Sequence, residues 1–304
     1  MKPLDFLIIG AQKCATTALF EHLKHHRGIC MPREKEVPFF AGKDYRDTEW
    51  KAFASAHFGL ADERLWGKAT PQYMGDPRAA ARIHALMPDI KLVAILRDPI
   101  ERSWSHYQMA RRRGTEARSF DQAIEPLLAA DFRAGEELPS HASGYESEAD
   151  YYLAWSEYGR ALRPYYERFP ASNILVLYAE ELDTQPEATL DRLLAFLGLE
   201  PGFRPDSLGE RIHQGGSGNK IPEGLRHWLR DRGWLYALWQ RLPAERRGEL
   251  RFRYEQWNVK RSSRQAPGMP EMTRARLRSY FAKDLAQLTQ LPVASPPWGS
   301  QYDL

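Results

Sequence analysis

Short apolar runs alternate along the chain with segments whose apolar residues recur every three or four positions. The apolar runs at 6–9, 91–96 and 173–178 predict buried strands, since strands covered on both faces have near-continuous hydrophobic sequences. Helical spacing predicts helices that begin at Thr17 and that occupy Pro77–Met87, Ile100–Arg112, Tyr151–Phe169 and Pro186–Leu197. Because parallel strands need crossover connections, this alternation indicates an α/β fold with a central parallel sheet and helices on both faces.

Two segments fall outside this alternation. Residues 114–148 are acidic and weakly periodic, which is typical of an insertion. Beyond Gly198 the chain is rich in Gly, Pro, Arg and Trp, and it ends in an amphipathic helix whose apolar face carries Leu277, Phe281, Leu285 and Leu288. We therefore predict a single domain over residues 1–304, with an insertion at 114–148 and a C-terminal helical extension from about residue 223.

The composition is that of a globular protein with nearly balanced charge. The 304 residues include 43 Lys and Arg against 40 Asp and Glu, which gives a net charge of +3. Without a marked basic excess, we expect no nucleic acid partner. The apolar runs are shorter than the ~20 residues of a membrane-spanning helix, so we also expect no membrane insertion.

The chain has two cysteines, Cys14 and Cys30. Two cysteines do not make a disulfide framework and fit a reducing compartment, and no signal-peptide pattern precedes the first apolar run. These features predict a cytoplasmic protein. No metal site is predicted, because no matching histidine spacing accompanies the cysteines.

A loop suited to binding an anion follows the first predicted strand. It begins at Gly10, contains Lys13, and reaches Thr16 and Thr17 where the first helix starts. Backbone N–H groups, a helix N-terminus, a lysine and two hydroxyls can converge there on one phosphate. The spacing differs from the nucleoside-triphosphate motif Gly-x-x-x-x-Gly-Lys-Ser/Thr. Taken alone, the loop is better interpreted as an ordinary turn with a surface lysine.

A second candidate anion site follows the strand at 91–96. Arg97 lies at the carboxyl edge of the predicted sheet, where open α/β sheets bind ligands, and Ser105 comes eight residues later in the next helix. The Arg97 guanidinium could bind a second phosphate, and the Ser105 hydroxyl could donate to the same group. A single Arg-Asp pair after a strand is more commonly a surface ion pair.

Together the two motifs resemble the 3′-phosphoadenosine 5′-phosphosulfate (PAPS) dependent sulfotransferase family, over Phe6 to about Lys220. The run from Glu36 to Phe40 is similar to the Glu-x-x-Phe-Phe segment of carbohydrate members such as the heparan sulfate sulfotransferases. The resemblance implies a three-layer, P-loop-like fold related in shape to nucleotide kinases. It also implies in-line, metal-independent transfer of the sulfo group of PAPS to a hydroxyl or amine of a carbohydrate or other small-molecule acceptor. The product would be 3′,5′-phosphoadenosine.

The resemblance also implies roles for individual residues. Glu36 would be the catalytic base, and Lys13 would neutralise charge on the leaving group. Arg97 and Ser105 would bind the 3′-phosphate, and the glycine-rich segment 213–220 would close over it. The residues assigned to the cofactor are Gln12, Lys13, Cys14, Ala15, Thr16, Thr17, Arg97, Ser105, Gly216 and Lys220.

Some residues depart from the family pattern or have weaker assignments. Ala15 replaces a usual glycine, which adds strain if that position needs a positive φ. Alanine stands at the position of a family lysine in Lys68-Ala69-Thr70-Pro71, so Lys68 is only a candidate for the substrate or catalytic site. The other such candidates are Thr70, Tyr73 and His106.

Two expectations concern the surroundings of candidate bases. His106 is expected to face outward from its helix. Partial burial beside a Pro-Phe-Phe run is expected to raise the pKa of Glu36, and a solvated Glu36 is the alternative.

Two other functions remain open from the sequence. The first is a small-molecule or nucleoside kinase that uses ATP and magnesium, with Asp98 as the metal-binding aspartate. The absence of Gly-Lys-Ser/Thr in the first loop counts against it. The second is a non-catalytic nucleotide- or glycan-binding module. The identity of the acceptor and the oligomeric state are also left open.

Overall fold

A five-stranded parallel sheet forms the centre of the protein. The computed structural model describes residues 2–41, 45–58, 63–129, 151–209, 218–221, 250, 259–260, 268–302 and 304. The strands of the sheet are β1 (Phe6–Gly10), β2 (Ile29–Cys30), β3 (Leu65–Ala69), β4 (Lys91–Leu96) and β5 (Ile174–Tyr178). Their spatial order is β2-β3-β1-β4-β5, and every neighbouring pair is parallel. A separate antiparallel pair joins β6 (Gly218–Asn219) to β7 (Val259–Lys260).

Helices follow most of the strands. Within the described residues they are α1 (Thr16–Lys24), α2 (Trp50–Phe58), α3 (Ala79–Leu86), α4 (Pro99–Arg113), α5 (Phe120–Ala129), α6 (Tyr158–Tyr166), α7 (Ala179–Thr184), α8 (Pro186–Leu197) and α9 (Glu271–Leu288). The connection from β1 to β2 runs toward one edge of the sheet, and those to β3, β4 and β5 run toward the other. Since such crossovers are right-handed, α1 covers one face and α3 and α6 cover the other. The predicted α/β fold with two helical layers is confirmed.

The central strands are apolar because helices cover both of their faces. All five residues of β1 are buried, and so are the last five of β4. At the carboxyl end of β1, a Cβ on Gly10 would lie 2.5 Å from the Cβ of Met74. Only glycine allows this close approach, which brings the loop after β1 against the segment after β3.

The structure agrees with the predicted strands and differs in two places. Strands β2 and β3 were not predicted, although β3 lies between β2 and β1 in the sheet. The helix predicted over Tyr151–Phe169 is wrong in its first half, where a 3₁₀ turn occupies Ala154–Ser156 and α6 begins only at Tyr158.

The late start of α6 has a physical cause in a neighbouring helix. The carboxylate of Asp284 in α9 accepts the backbone N–H groups of Gly159 and Arg160, each at 2.9 Å. The first N–H groups of a helix have no partner within it, so this side chain caps α6 from another part of the chain. Burial raises the pKa of Asp284 to about 7, although both hydrogen bonds oppose that shift.

The predicted division of the domain stays a prediction. Helix α5 lies within the proposed insertion at 114–148, and residues 130–150 lie outside the described part of the chain. Helix α9 is the main described element of the proposed extension, and it packs against α6 and α4. Its predicted apolar face is fully buried, with Leu277, Phe281, Leu285 and Leu288 all at 0% exposure. No described helix is both long enough and apolar enough to cross a membrane.

The contact between α6 and α9 generates a stability prediction. A Cβ on Gly159 would lie 2.5 Å from the backbone oxygen of Asp284. In an open helix, Gly→Ala gains up to about 1 kcal/mol, but a clash with backbone costs about 1–3 kcal/mol. Gly159→Ala is therefore expected to lower the free energy of unfolding, as measured by urea denaturation.

The matched control is Gly268→Ala, because a Cβ at Gly268 meets nothing within 4 Å. This variant should stay within about 0.5 kcal/mol of the parent protein. A Gly159→Ala protein at least as stable as the parent would contradict the close contact.

Candidate active site

The loop after β1 has the left-handed backbone that a phosphate-binding turn requires. Lys13 has φ 72° and Ala15 has φ 63°, and α1 begins directly after Ala15. The sequence analysis predicted strain at Ala15 if this position had a positive φ. Ala15 does have a positive φ, and a Cβ disfavours this left-handed backbone conformation. Because α1 begins directly after this turn, its N-terminus, where backbone N–H groups can bind an anion, adjoins the Lys13 loop.

Gln12 and Cys14, which belong to this loop, have buried side chains. Burial raises the pKa of the Cys14 thiol to about 11, so this cysteine is not a thiolate at neutral pH. Its Sγ lies 3.7 Å from the hydroxyl oxygen of Tyr158, which donates a 2.8 Å hydrogen bond to the backbone oxygen of Arg97. Tyr158 thus connects the loops that follow β1 and β4.

A lysine that the sequence analysis did not select lies at the start of α1. Lys35 follows β2, and its Nζ donates to Oγ1 of Thr16 at 3.2 Å and to Oγ1 of Thr17 at 2.9 Å. The same Nζ lies 2.8 Å from Oε1 of Glu36, and the Lys35 side chain is only 7% exposed. One ammonium group therefore joins the candidate anion loop to the candidate base.

The Glu36 carboxylate has a hydrogen-bond donor on each oxygen. Lys35 binds Oε1, and Nε2 of Gln72 donates to Oε2 at 3.0 Å. The Glu36 side chain is 38% exposed. Its partial burial tends to raise the pKa, but the charge and hydrogen bond of Lys35 and the hydrogen bond of Gln72 outweigh this effect and lower the pKa to about 2. The expectation of a raised pKa is therefore wrong, because the adjacent lysine folds back onto the carboxylate.

Tyr73 fixes the segment that carries Glu36. Its hydroxyl oxygen accepts the backbone N–H groups of Phe39 at 2.8 Å and Phe40 at 3.2 Å. The Tyr165 hydroxyl in turn donates to the Tyr73 backbone oxygen at 2.8 Å. Tyr73 has 0% exposure, and its ring packs against that of Phe40. Its role as a substrate contact stays a prediction, and its complete burial does not favour that role.

Lys68 is a fully buried lysine on β3. Its Nζ donates a hydrogen bond to the hydroxyl of Thr70 and lies 5.3 Å from the ring centre of Tyr73. Burial lowers the pKa of Lys68 to about 7, with Glu36 opposing the shift and Lys35 adding to it. Lys68 and Thr70 therefore lie within electrostatic range of the candidate base.

The predicted second anion site lies where β4 passes into α4. The Arg97 side chain is 35% exposed, and its Nη2 lies 4.0 Å from Oε2 of Glu101. Ser105 is partly buried on α4, and Arg97 lies between the end of β4 and the start of that helix. The joint assignment of Arg97 and Ser105 to one phosphate stays a prediction.

Positive charges surround Lys13. Burial is the largest cause that lowers its pKa to about 7, and the charges of Arg112, Arg113, Arg97 and Lys35 lower it further. The C-terminal end of α4, which carries Arg112 and Arg113, therefore lies within electrostatic range of the loop. The arrangement is unfavourable for a protonated Lys13 unless an anion binds there.

The remaining assignments fall outside this cluster. The expectation that His106 faces outward is wrong, because His106 has 0% exposure and its ring stacks on Trp155 at 5.4 Å. The residues around 152–156 cover that side of α4. Lys220 is exposed next to β6, and Gly216 lies outside the described residues. No group of three or more His, Cys, Asp or Glu side chains that could hold a metal occurs in the described part of the chain.

Comparisons with known proteins agree with this geometry. A family model for the sulfotransferase domain matches residues 3–214. The human bifunctional heparan sulfate N-deacetylase/N-sulfotransferase 3 is 29% identical over 208 residues, which are 65% of this chain and 22% of the relative. The human heparan sulfate glucosamine 3-O-sulfotransferase 6 is 29% identical over 194 residues, which are 64% of this chain and 52% of the relative. The chain thus spans about a fifth of the first relative and about half of the second.

A solved structure also has the same fold. The crystal structure of a sulfotransferase from Alicyclobacillus acidocaldarius aligns with a TM-score of 0.57 at 25% identity, over 81% of this chain and 99% of that chain. The likeness supports the P-loop-like arrangement of the sheet and of the loop after β1. With the family match over residues 3–214, these findings show that the chain belongs to the sulfotransferase family.

Proposed function

We propose that this protein transfers the sulfo group of PAPS to a hydroxyl or amine of a carbohydrate or another small molecule. The observation that carries the proposal is the position of Lys13. It lies on a left-handed loop at the start of α1, among four further cations and close to the Lys35–Glu36 pair. A dianionic donor beside a single carboxylate matches this distribution of charge.

The described residues fit the two ends of PAPS separately. Lys13 and the hydroxyls of Thr16 and Thr17 are positioned for the 5′-phosphosulfate. Arg97, just before α4, and Ser105, on α4, would bind the 3′-phosphate. Tyr158 contacts both loops and so helps to fix the distance between the two groups.

Different residues of the protein have different roles in the transfer. When bound, PAPS supplies the sulfo group: the acceptor atom forms a bond to sulfur while the bond from sulfur to the 5′-phosphate oxygen breaks. The Glu36 carboxylate takes the proton of the acceptor, and Lys13 neutralises the charge that grows on the departing 5′-phosphate. Tyr73 keeps the Glu36 segment in place through the N–H groups of Phe39 and Phe40.

The kinase alternative is not favoured by the structure around Asp98. Its Oδ1 accepts the backbone N–H groups of Ile100 at 2.9 Å and Glu101 at 3.0 Å, and both of its oxygens accept from the Tyr302 hydroxyl at 3.2 Å. This carboxylate is used to cap α4 and to hold the C-terminal turn. Asp98 is therefore not available as a ligand for the magnesium ion of a bound nucleoside triphosphate.

The acceptor class and the location belong to the same proposal. The names of two relatives specify heparan sulfate, which supports a carbohydrate acceptor. The chain has only two cysteines, which is typical of a reducing compartment, so the predicted cytoplasmic location is part of this proposal.

The first prediction concerns Glu36. Glu36→Gln removes the base while keeping the size of the side chain, so kcat should fall by about 10²–10⁴, as is typical for general-base catalysis. Affinity for 3′,5′-phosphoadenosine should not fall, since the substitution removes a negative charge near the donor. Turnover is measured with labelled PAPS over a panel of carbohydrate acceptors.

Glu34→Gln is the matched control for this experiment, because it makes the same change two positions earlier and should keep full turnover. A fully active Glu36→Gln protein would rule out Glu36 as the base.

The second prediction tests the 3′-phosphate site. At about 100 times the dissociation constant, 3′,5′-phosphoadenosine should stabilise the protein by ~2.7 kcal/mol, and adenosine 5′-phosphate at the same concentration should stabilise it much less. Arg97→Ala should remove most of the difference between the two melting shifts. Arg192→Ala, which changes an exposed arginine bonded to Glu181, should leave the difference intact. Equal shifts from the two nucleotides in the parent protein would contradict the assignment of Arg97.

The third prediction concerns protons taken up with the donor. Because the pKa of Lys13 is lowered to about 7, a large share of this amine is neutral at pH 8 in the protein without nucleotide. The protonated amine is the form that binds an anion, so binding should raise its pKa. Affinity should therefore be highest near pH 7 and fall as the pH rises, by at most about tenfold per pH unit from this group.

Calorimetry of 3′,5′-phosphoadenosine binding at pH 8, in two buffers of different ionisation enthalpy, measures this uptake directly. The phosphates are fully ionised at that pH, since their second pKa is about 6. Lys13→Arg, which stays protonated, should reduce the uptake, and Lys24→Arg should not. Binding without net proton uptake in the parent protein would contradict the lowered pKa.

A further inference from the structure

Lys35 makes contacts that a simple ion pair with its neighbour does not explain. Three oxygens surround its Nζ: those of Thr16 at 3.2 Å, Thr17 at 2.9 Å and Glu36 at 2.8 Å. A lysine that only neutralised Glu36 would be able to do so from solvent. Lys35 is instead 7% exposed and reaches back across 19 residues of sequence to the first turn of α1.

The two threonine hydroxyls locate Lys35 at the donor. They belong to the first two residues of α1, where the helix N-terminus and Lys13 converge. An oxygen that accepts a hydrogen bond from either hydroxyl lies at most about 6 Å from Nζ of Lys35, the sum of two hydrogen-bond lengths. Any anion held by these hydroxyls is therefore a near neighbour of the Lys35 ammonium group.

Lys35 also influences each of the other charged groups here. Its charge acts on Lys13, on Lys68 and on Glu36. The two threonine hydroxyls are neutral, so the carboxylate of Glu36 is its one charged partner among these three contacts. A phosphosulfate held by the two threonine hydroxyls would offer a second anion that competes with Glu36 for the same ammonium group.

We propose that Lys35 is a donor-binding residue that passes its ammonium group from Glu36 to the 5′-phosphosulfate when PAPS binds. The proposal rests on the sulfotransferase function given above and adds a residue to the donor site. It also links the two substrates. While Lys35 bonds to Glu36, the carboxylate is a weak base, and it becomes a stronger one once the ammonium group has turned to the donor. The base is thus activated only after the sulfo donor is in place.

The experiment tests the contacts of the 5′-phosphate separately from those of the 3′-phosphate. Calorimetry measures the affinities of 3′,5′-phosphoadenosine, adenosine 5′-phosphate and adenosine 3′-phosphate for the parent protein and for Lys35→Met. Loss of a charge-assisted contact should weaken the two nucleotides that carry a 5′-phosphate by about tenfold or more. Adenosine 3′-phosphate should bind the variant within about twofold of the parent, because its phosphate lies at Arg97.

Two further substitutions distinguish a charged contact from support of the loop. Lys35→Gln keeps a hydrogen-bond donor for Thr16 and Thr17 without the charge, and it should lose affinity as Lys35→Met does. Lys35→Arg keeps the charge and should recover part of the affinity. Lys24→Met removes the same charge at the exposed far end of α1, about 12 Å along the helix from Thr16, and should bind all three nucleotides like the parent. The Gln and Arg variants also keep a polar group at the site if Lys35→Met fails to fold.

The outcomes separate this proposal from the proposed function. If the parent protein does not bind 3′,5′-phosphoadenosine, the sulfotransferase function fails, and the proposal fails with it. If the parent binds the nucleotide and Lys35→Met binds it equally well, only the role of Lys35 is overturned. Full recovery of affinity by Lys35→Gln, or an equal loss for all three nucleotides, would also overturn it, since either result indicates a structural role.

Discussion

The hydrogen bonds of one ammonium group hold the candidate site together. Lys35 lies between the first turn of α1 and the carboxylate of Glu36, and it contacts both. The segment that carries it is fixed at its other end, where Tyr73 accepts the N–H groups of Phe39 and Phe40. The parallel sheet brings the carboxyl ends of β1 and β2 to the same edge, with β3 between them. These side-chain contacts then fix the position of the candidate base relative to the loop after β1.

The charge distribution of the candidate site favours the binding of an anion. Burial and neighbouring cations lower the pKa of Lys13 to about 7, and burial does the same for Lys68. The pKa of Glu36 is lowered to about 2, against the effect of its own burial. All three pKa values are lowered: burial disfavours the charged form of each lysine, and the positive charge of Lys35 favours the charged form of the carboxylate while it adds to the shifts of Lys13 and Lys68. A bound dianion would ease the repulsion between the lysines and would compete for the cation that stabilises the carboxylate.

The sequence predicted the parts of this arrangement that depend on local pattern. The apolar runs of β1 and β4 showed two central strands, and their carboxyl ends located the Lys13 loop and Arg97. Strand β3 escaped prediction because it contains Gly67 and the buried Lys68, which interrupt any apolar run. The contacts of Lys35 and the burial of His106 depend on residues far away in sequence. The sequence analysis expected a raised pKa for Glu36, but the pKa is lowered because the Lys35 side chain folds back onto the carboxylate. Sequence spacing does not predict such a side-chain conformation.

The cap on α6 has a consequence for the limits of the folding unit. The family match ends at residue 214, yet Asp284 from α9 satisfies the first N–H groups of α6, and four apolar residues of α9 are fully buried. The residue just before the capped N–H groups is Tyr158, whose hydroxyl contacts the loops after β1 and β4. A fragment cut at the end of the family match would lack Asp284 and would leave the first N–H groups of α6 without this cap. Most of the candidate site residues lie within the family match, while the smallest fragment that keeps α6 capped extends through α9.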